Sequence, residues 1–337
     1  MALNVPGVVV MVFFYLMVLG TGIWASFKSK KEIKNSSVDP IDMALLGNRG
    51  ISLVVGMFTM TATWIGGGFF STLAEVTYIP SSGVKEAVLI VSAYTTAFII
   101  CGFVFTKPMR DRRFVTMLDP FHIKYGKGVA CLFTVISLIT DFIWVPTTLI
   151  SLDSAQPRHT PTDAYLDFLP SPVLFPTCRA VMHVILDVSY TVSIWISAAV
   201  AITYTLLGGL YSVAYTDVIQ IILMFLGSWL CVPFVLMIPA ASDVSNTTLH
   251  LNTSGGYPPW LGDWEEGSLL VKVDTFLFMV LGCQAIQPVQ QRILSSLSSD
   301  TARHSCFFAA LAVIIFAIPP AIVGGVAITA ALSKYAI

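Results

Sequence analysis

The residues best equipped for chemistry lie in Phe58-Thr59-Met60-Thr61-Ala62-Thr63-Trp64-Ile65-Gly66-Gly67-Gly68, inside an apolar stretch long enough to cross a bilayer. In hydrocarbon an unpartnered backbone group costs several kcal/mol, so a crossing segment should stay helical throughout. Three consecutive glycines beside threonines and a tryptophan oppose that continuity, because glycine is a poor helix former. Non-helical backbone at membrane depth is tolerated where it lines a cavity, and its freed carbonyls can then hold a cation. The chemistry implied is non-covalent: a transported solute and a coupling ion bound at a broken helix. The same residues also suit a second reading, a small-residue face for close helix packing.

A later apolar segment carries a similar interruption, Gly282-Cys283-Gln284-Ala285-Ile286-Gln287-Pro288-Val289-Gln290-Gln291-Arg292. Proline removes a helix hydrogen bond and buried amides need partners, so a kink or unwound turn is expected here. The competing reading is an early helix end, with Gln290 to Arg292 at the headgroups. Asp141 lies three residues before Trp144 in another apolar segment, where a carboxylate is costly and is paired, protonated or turned to a cavity. In Gly208-Gly209-Leu210-Tyr211-Ser212-Val213-Ala214-Tyr215-Thr216-Asp217-Val218-Ile219-Gln220, Asp217 and Gln220 have the spacing of a helix cap.

The elements that must position these residues are membrane helices. With 56% hydrophobic and 11% charged residues, the chain is far more apolar than a soluble domain, for which about 25% charged is usual. Hydropathy predicts eight crossings, near 6–27, 50–78, 86–106, 128–151, 184–207, 214–239, 272–291 and 306–332. The two interrupted segments are the second and the seventh, a separation that suits paired broken helices in two inverted repeats. Lys28, Lys30, Lys31, Lys34 and Arg49 follow the first crossing, and Lys107, Arg110, Arg112, Arg113, Lys124 and Lys127 the third. Arg292 and Arg303 follow the seventh, so these loops are expected in the cytoplasm and the N-terminus outside. Two glycosylation sequons, at Asn246 and Asn252, then fall on the exterior, whereas one at Asn35 falls inside and should stay bare.

Several function classes are disfavoured. A net charge of −1 gives no sign of a nucleic-acid partner. The six cysteines show no CxxC or His/Cys clustering and read as inert thiols, all but Cys178 in or beside apolar segments. P-loop, HExxH, GxSxG and GxGxxG signatures are missing, so an enzyme is not expected. The first apolar stretch lacks a basic leader and a clear cleavage site, and reads as a retained span.

Thr59-Met60-Thr61-Ala62-Thr63-Trp64 with its glycines, Lys107-Pro108-Met109-Arg110, Val115-Thr116-Met117-Leu118-Asp119-Pro120-Phe121 and the run Gly208 to Gln220 together resemble the sodium:solute symporter family, in its choline-carrying branch. The resemblance extends over nearly the whole chain except about 152–179. It implies an all-α polytopic membrane protein with a leucine-transporter-type fold: one extra N-terminal helix, then two inverted repeats with the solute at the midplane. On this resemblance residues 1–337 form a single transmembrane domain whose second repeat is incomplete, with 152–179 as an atypical extracellular insertion. The implied function is sodium-coupled symport of choline across the plasma membrane, supplying acetylcholine synthesis, presynaptically where the cell is a neuron. A sister symporter for another small organic solute and a non-transporting membrane paralogue are the alternatives.

The resemblance also carries site residues. Choline is a permanent cation with no N–H to donate, so aromatic faces are its natural partners. The positions matching the family's aromatic cage are Trp64, Tyr94 and Trp144, and each is also an ordinary residue type for a membrane interior. Ile286 stands where the family has a further tryptophan, which removes one wall of the cage. Sodium is expected at backbone carbonyls of the first break, by position Thr61 and Trp64. Na+ is the coupling ion, Cl− dependence is a family trait, and no other cofactor is implied. The expected partners are choline or a similar small cation, Na+ and the lipid bilayer, with a homo-oligomer left open. Two departures stand out: the proline-rich stretch Asp153 to Arg179, read as either an extracellular loop or a gene-model artefact, and the end at Ile337, read as a truncation.

Overall fold

The computed structural model describes residues 5–35, 40–79, 81–150, 190–237, 261–262 and 269–335. Within them the apolar runs become helices: α1 (Val5–Asn35), α2 (Pro40–Leu46), α3 (Leu53–Ala62), α4 (Gly67–Tyr78), α5 (Gly83–Ile100) and α6 (Thr106–Asp111). These are followed by α7 (Asp119–Tyr125), α8 (Lys127–Ile150), α9 (Tyr190–Leu236), α10 (Leu269–Gly282), α11 (Gln287–Ser295) and α12 (Ser299–Tyr335). A π turn, Cys101–Phe105, joins α5 to α6 without ending the helix. Gly83–Asp111, Gly209–Leu236 and Ser299–Ala327 are each long and apolar enough to cross a membrane. Two bent pairs, α3 with α4 and α10 with α11, bring the candidate crossings among the described residues to five. The protein is a multi-pass membrane protein.

Both interruptions read in the sequence are breaks in the structure. Helices α3 and α4 meet at 50°, and α10 with its terminal turn meets α11 at 47°. At the first break the hydroxyls of Thr61 and Thr63 donate to the carbonyls four residues back, Met57 (2.7 Å) and Thr59 (2.8 Å), a pattern that bends helices. A side-chain carbon at Gly66 would meet nothing within 4 Å, so close helix packing does not require glycine there. At the second break a short 3-10 turn, Cys283–Ala285, gives way to extended backbone at Ile286 (φ −88°, ψ 121°). Pro288 then opens the new helix, where its missing N–H would have had no intrahelical partner.

The core is built around α12, which packs on α3, α4 and α5, while α1 lies along α9. Small residues line that central helix: Ala302, Ala309 and Cys306 are fully buried. Without a hydrophobic force between helices in lipid, such close backbone approach is what holds a bundle together. The outward faces are apolar, with Phe103, Leu206, Phe278 and Phe234 among the exposed side chains, as a lipid-facing surface requires.

Helix α9 is kinked at Gly209, whose backbone (φ 56°, ψ −155°) lies in a region that side chains disfavour. A Cβ there would stand 2.8 Å from the Ala44 carbonyl oxygen of α2. Gly209→Ala is therefore expected to destabilise the chain by about 1–3 kcal/mol. Gly128→Ala, where a Cβ meets nothing within 4 Å, should be neutral or mildly stabilising. Thermal unfolding of the purified chain in detergent checks the pair, and equal melting temperatures would contradict the assignment.

Candidate solute site

The two breaks are brought side by side by α5. Tyr94 on α5 faces Trp64 at the first break, with ring centroids 4.9 Å apart and planes tilted by 31°. Both rings are half-buried against the main core, which also contains Met60, Ile65 and Phe69. Three residues beyond Tyr94, the Ala97 carbonyl accepts the Gln284 amide of the second break at 2.9 Å. An aromatic pair next to unwound backbone can attract a cation by its π faces and coordinate one by its carbonyls.

At the first break the Thr61 carbonyl accepts the Trp64 amide (3.2 Å) and the Ile65 amide (3.1 Å), and the Trp64 carbonyl accepts Gly66 (3.1 Å). Among the described residues no backbone amide donates to the carbonyls of Ala62, Thr63 or Ile65. The uncommitted acceptors therefore flank the two positions singled out by sequence. This depends on the turn geometry, which no residue pattern specifies.

The second break is polar. Gln284 donates to Ala97 and, at 3.1 Å, to the Val280 carbonyl. Gln290 donates back to the Gln284 carbonyl at 2.8 Å, bridging the unwound turn. Gln287 accepts the Met117 amide at 3.4 Å, and Gln291 donates to the Leu45 carbonyl at 2.7 Å. Gln284, Gln287 and Gln291 thus tie the break to α5, to the 112–118 loop and to α2, while Gln290 braces it internally. Ile286 is half-buried in the extended turn between them.

Behind the first break lies a buried ionic cluster that sequence reasoning placed differently. Asp217 is 8% exposed and Arg292 9% exposed, and their side chains pair at 3.1 Å. The Thr59 hydroxyl, one turn before Thr63, donates to the same carboxylate oxygen. The cap spacing of Asp217 and Gln220 is misleading: α9 continues through this region from the Gly209 kink, and Asp217 pairs across the bundle. Arg292 likewise is buried inside the bundle and not displayed at its surface. The only sequence signal was an acid in one apolar segment and an arginine at the end of another.

The ends of the bundle are also linked. At one end Ile51 pairs with the strand-like turn at Ser296, donating to Ser295 (3.2 Å) and accepting from Leu297 (3.0 Å). Arg110 donates to the Ser296 carbonyl at 2.5 Å and to Leu297 at 3.1 Å, and Arg49 holds the Arg113 and Phe114 carbonyls. At the other end Glu86 pairs with Lys272 at 2.7 Å, and the Lys85 amide donates to Leu261 at 3.2 Å. Trp144 lies in α8, but its side chain is outside the described residues, as are Asn246 and Asn252. Asp141 is exposed on α8.

Residues 177–337 match the Sodium:solute symporter family. The chain is 37% identical over 97% of its length to high-affinity choline transporter 1 of Torpedo marmorata and 36% identical over the same share to that of Homo sapiens. The Drosophila melanogaster transporter of the same name is 33% identical over 96% of this chain. The matches cover 51%, 51% and 46% of those proteins, so the chain spans about half the length of the curated relatives it matches. In structure the chain resembles a Na+-coupled sialic acid symporter solved in a substrate-bound, outward-open state, with a TM-score of 0.71 and 17% identity. That likeness covers 98% of this chain and 62% of the symporter, and it carries the fold, which is of the leucine-transporter type.

Proposed function

We propose that this chain forms the solute-binding portion of a sodium-coupled symporter for choline or a closely related small organic cation, within one transmembrane domain spanning 1–337. The observation that carries the reading is the Trp64–Tyr94 ring pair at the first of two adjacent helix breaks. A cation needs π faces and carbonyls together, and this is where the fold supplies both. In this proposal Trp64, Tyr94 and Trp144 wall the cation, Ile286 closes the site from the second break, and Na+ sits at the carbonyls around Thr61 and Trp64. The three relatives named for choline support the substrate class. A sister symporter for a different small solute is the second reading, favoured by Ile286 in place of an aromatic wall.

The test is equilibrium binding of labelled choline to the purified chain in lipid nanodiscs, in Na+ and in K+. Saturable binding that strengthens in Na+ is the expected result. Binding indifferent to the cation, or absent for choline and its analogues, would remove the proposal.

The proposed setting is the plasma membrane, with the N-terminus and the 240–270 loop outside. Mutating Asn246 and Asn252 together should then abolish a glycan-dependent gel shift in eukaryotic cells, whereas changing Asn35 should leave it intact. A shift lost only with Asn35 would reverse the orientation.

A further inference from the structure

The run Gly208 to Gln220 carries two tyrosines, Tyr211 and Tyr215, that the solute site does not use. One turn apart on α9, their rings meet at 5.1 Å and 55°. Trp24 of α1 stands edge-on to Tyr215, at 5.3 Å and 88°, and completes a three-walled box. Seated in the box is the Lys28 ammonium, 5.5 Å from the Trp24 ring, 5.5 Å from Tyr211 and 5.1 Å from Tyr215. It donates to the Tyr215 hydroxyl at 3.1 Å, and no carboxylate pairs with it among the described residues. The frame does not depend on the lysine: Ser212 donates to the Gly22 carbonyl at 3.0 Å, and Ala25 and Ala214 are buried in one apolar cluster. Tyr211 is 6% exposed and Trp24 53%, so the box has a closed floor and one open wall.

We propose that this box is a second cation site, for a trimethylammonium group, which Lys28 closes as a tethered occupant. Aromatic boxes are the recognition chemistry of methylated ammonium ions. The dimensions fit. A methyl carbon about 1.5 Å from its nitrogen, resting on a ring at about 3.5–4.0 Å, sets that nitrogen about 5.0–5.5 Å from the ring. The three walls stand at that range, whereas a bare ammonium needs no such gap. Hydration also favours exchange, because a lysine ammonium is compact and strongly hydrated, on a flexible four-carbon stem. Leaving the box returns it to water beside Lys30 and Lys31, both exposed, and lets methyl groups cover the rings. The one hydrogen bond lost, to Tyr215, is replaced by water. A soluble ammonium such as choline and the headgroup of a choline phospholipid present the same group. The proposal stands apart from the reading of Trp64 and Tyr94.

The test is acetylation of lysines by an N-hydroxysuccinimide ester on the full chain in phosphatidylglycerol nanodiscs, read residue by residue by mass spectrometry. Lys28 should react about fivefold slower than Lys30 and Lys31, and saturating tetramethylammonium should raise its rate about fivefold, unlike Na+ at equal ionic strength. Trp24→Ala should abolish that response. Tyr215→Phe should keep it because the ring remains, and Trp64→Ala should leave it unchanged. Phosphatidylcholine nanodiscs separate the sources. Lys28 fast there without added ligand assigns the box to the lipid headgroup, and Lys28 slow until tetramethylammonium is added assigns it to a soluble ion. Lys28 indifferent to both tetramethylammonium and lipid headgroup overturns the proposal, as does a Trp24→Ala response equal to the parent's. A response lost in Trp64→Ala overturns it too, since release would then start at the solute site. None of these outcomes bears on binding at Trp64 and Tyr94, which the choline assay in Na+ and K+ reads.

Discussion

Arg292→Ala is expected to be the most damaging single substitution outside the solute site, costing about 3–5 kcal/mol of stability, because it leaves Asp217 buried as an uncompensated charge. The pair sits where three segments meet: Thr59 in α3, Asp217 in α9 and Arg292 in α11. Removing the cation forces the carboxylate to take up a proton or to draw water into the bundle. The signature that separates pairing from simple packing is the double variant. Asp217→Asn combined with Arg292→Leu should recover much of the loss, since replacing a buried pair by neutral groups is often nearly neutral, whereas breaking it is not. Melting temperature and folded yield in detergent read this directly. An Arg292→Ala chain as stable as the parent, or a double variant worse than the sum of the singles, would show that the pair contributes nothing.

The second large effect is expected in the ring pair. Trp64→Ala should weaken binding of choline-class cations by about 1–2 kcal/mol, close to tenfold, the scale of a desolvated cation–π contact. Tyr94→Ala should lose a comparable amount because its ring faces Trp64 at 4.9 Å and the two act as one wall. Their effects should be less than additive, as expected for residues in contact. Ile286→Trp should strengthen choline binding in particular, by restoring an aromatic face at the second break. Both measurements use the same nanodisc binding assay, with Phe103→Ala on an outward face as a control. Parental affinity in both Trp64→Ala and Tyr94→Ala would place the cation elsewhere.

Much of this was legible in the residues themselves. Glycine, threonine and proline have fixed conformational preferences, so Gly66 to Gly68 and Pro288 announced two broken helices, and hydropathy over about 20 residues announced the five candidate crossings among the described residues, out of eight expected. Those are local properties, written in neighbouring side chains. What the tertiary structure decided is which distant groups meet. Asp217 looked like a cap because its own helix offers that role at that spacing, and only the approach of α11 across the bundle makes Arg292 its partner. Thr61 and Trp64 were the carbonyls suggested by position; the turn shows that each also accepts a backbone amide, and that the neighbouring carbonyls of Ala62, Thr63 and Ile65 accept none among the described residues. Four glutamines read as a general sign of polarity. Their separate roles appeared only when Ala97, Val280, Met117 and Leu45 were seen to use some of their atoms and not others. A sequence states which donors and acceptors exist, while their satisfaction is a property of packing between segments far apart in the chain.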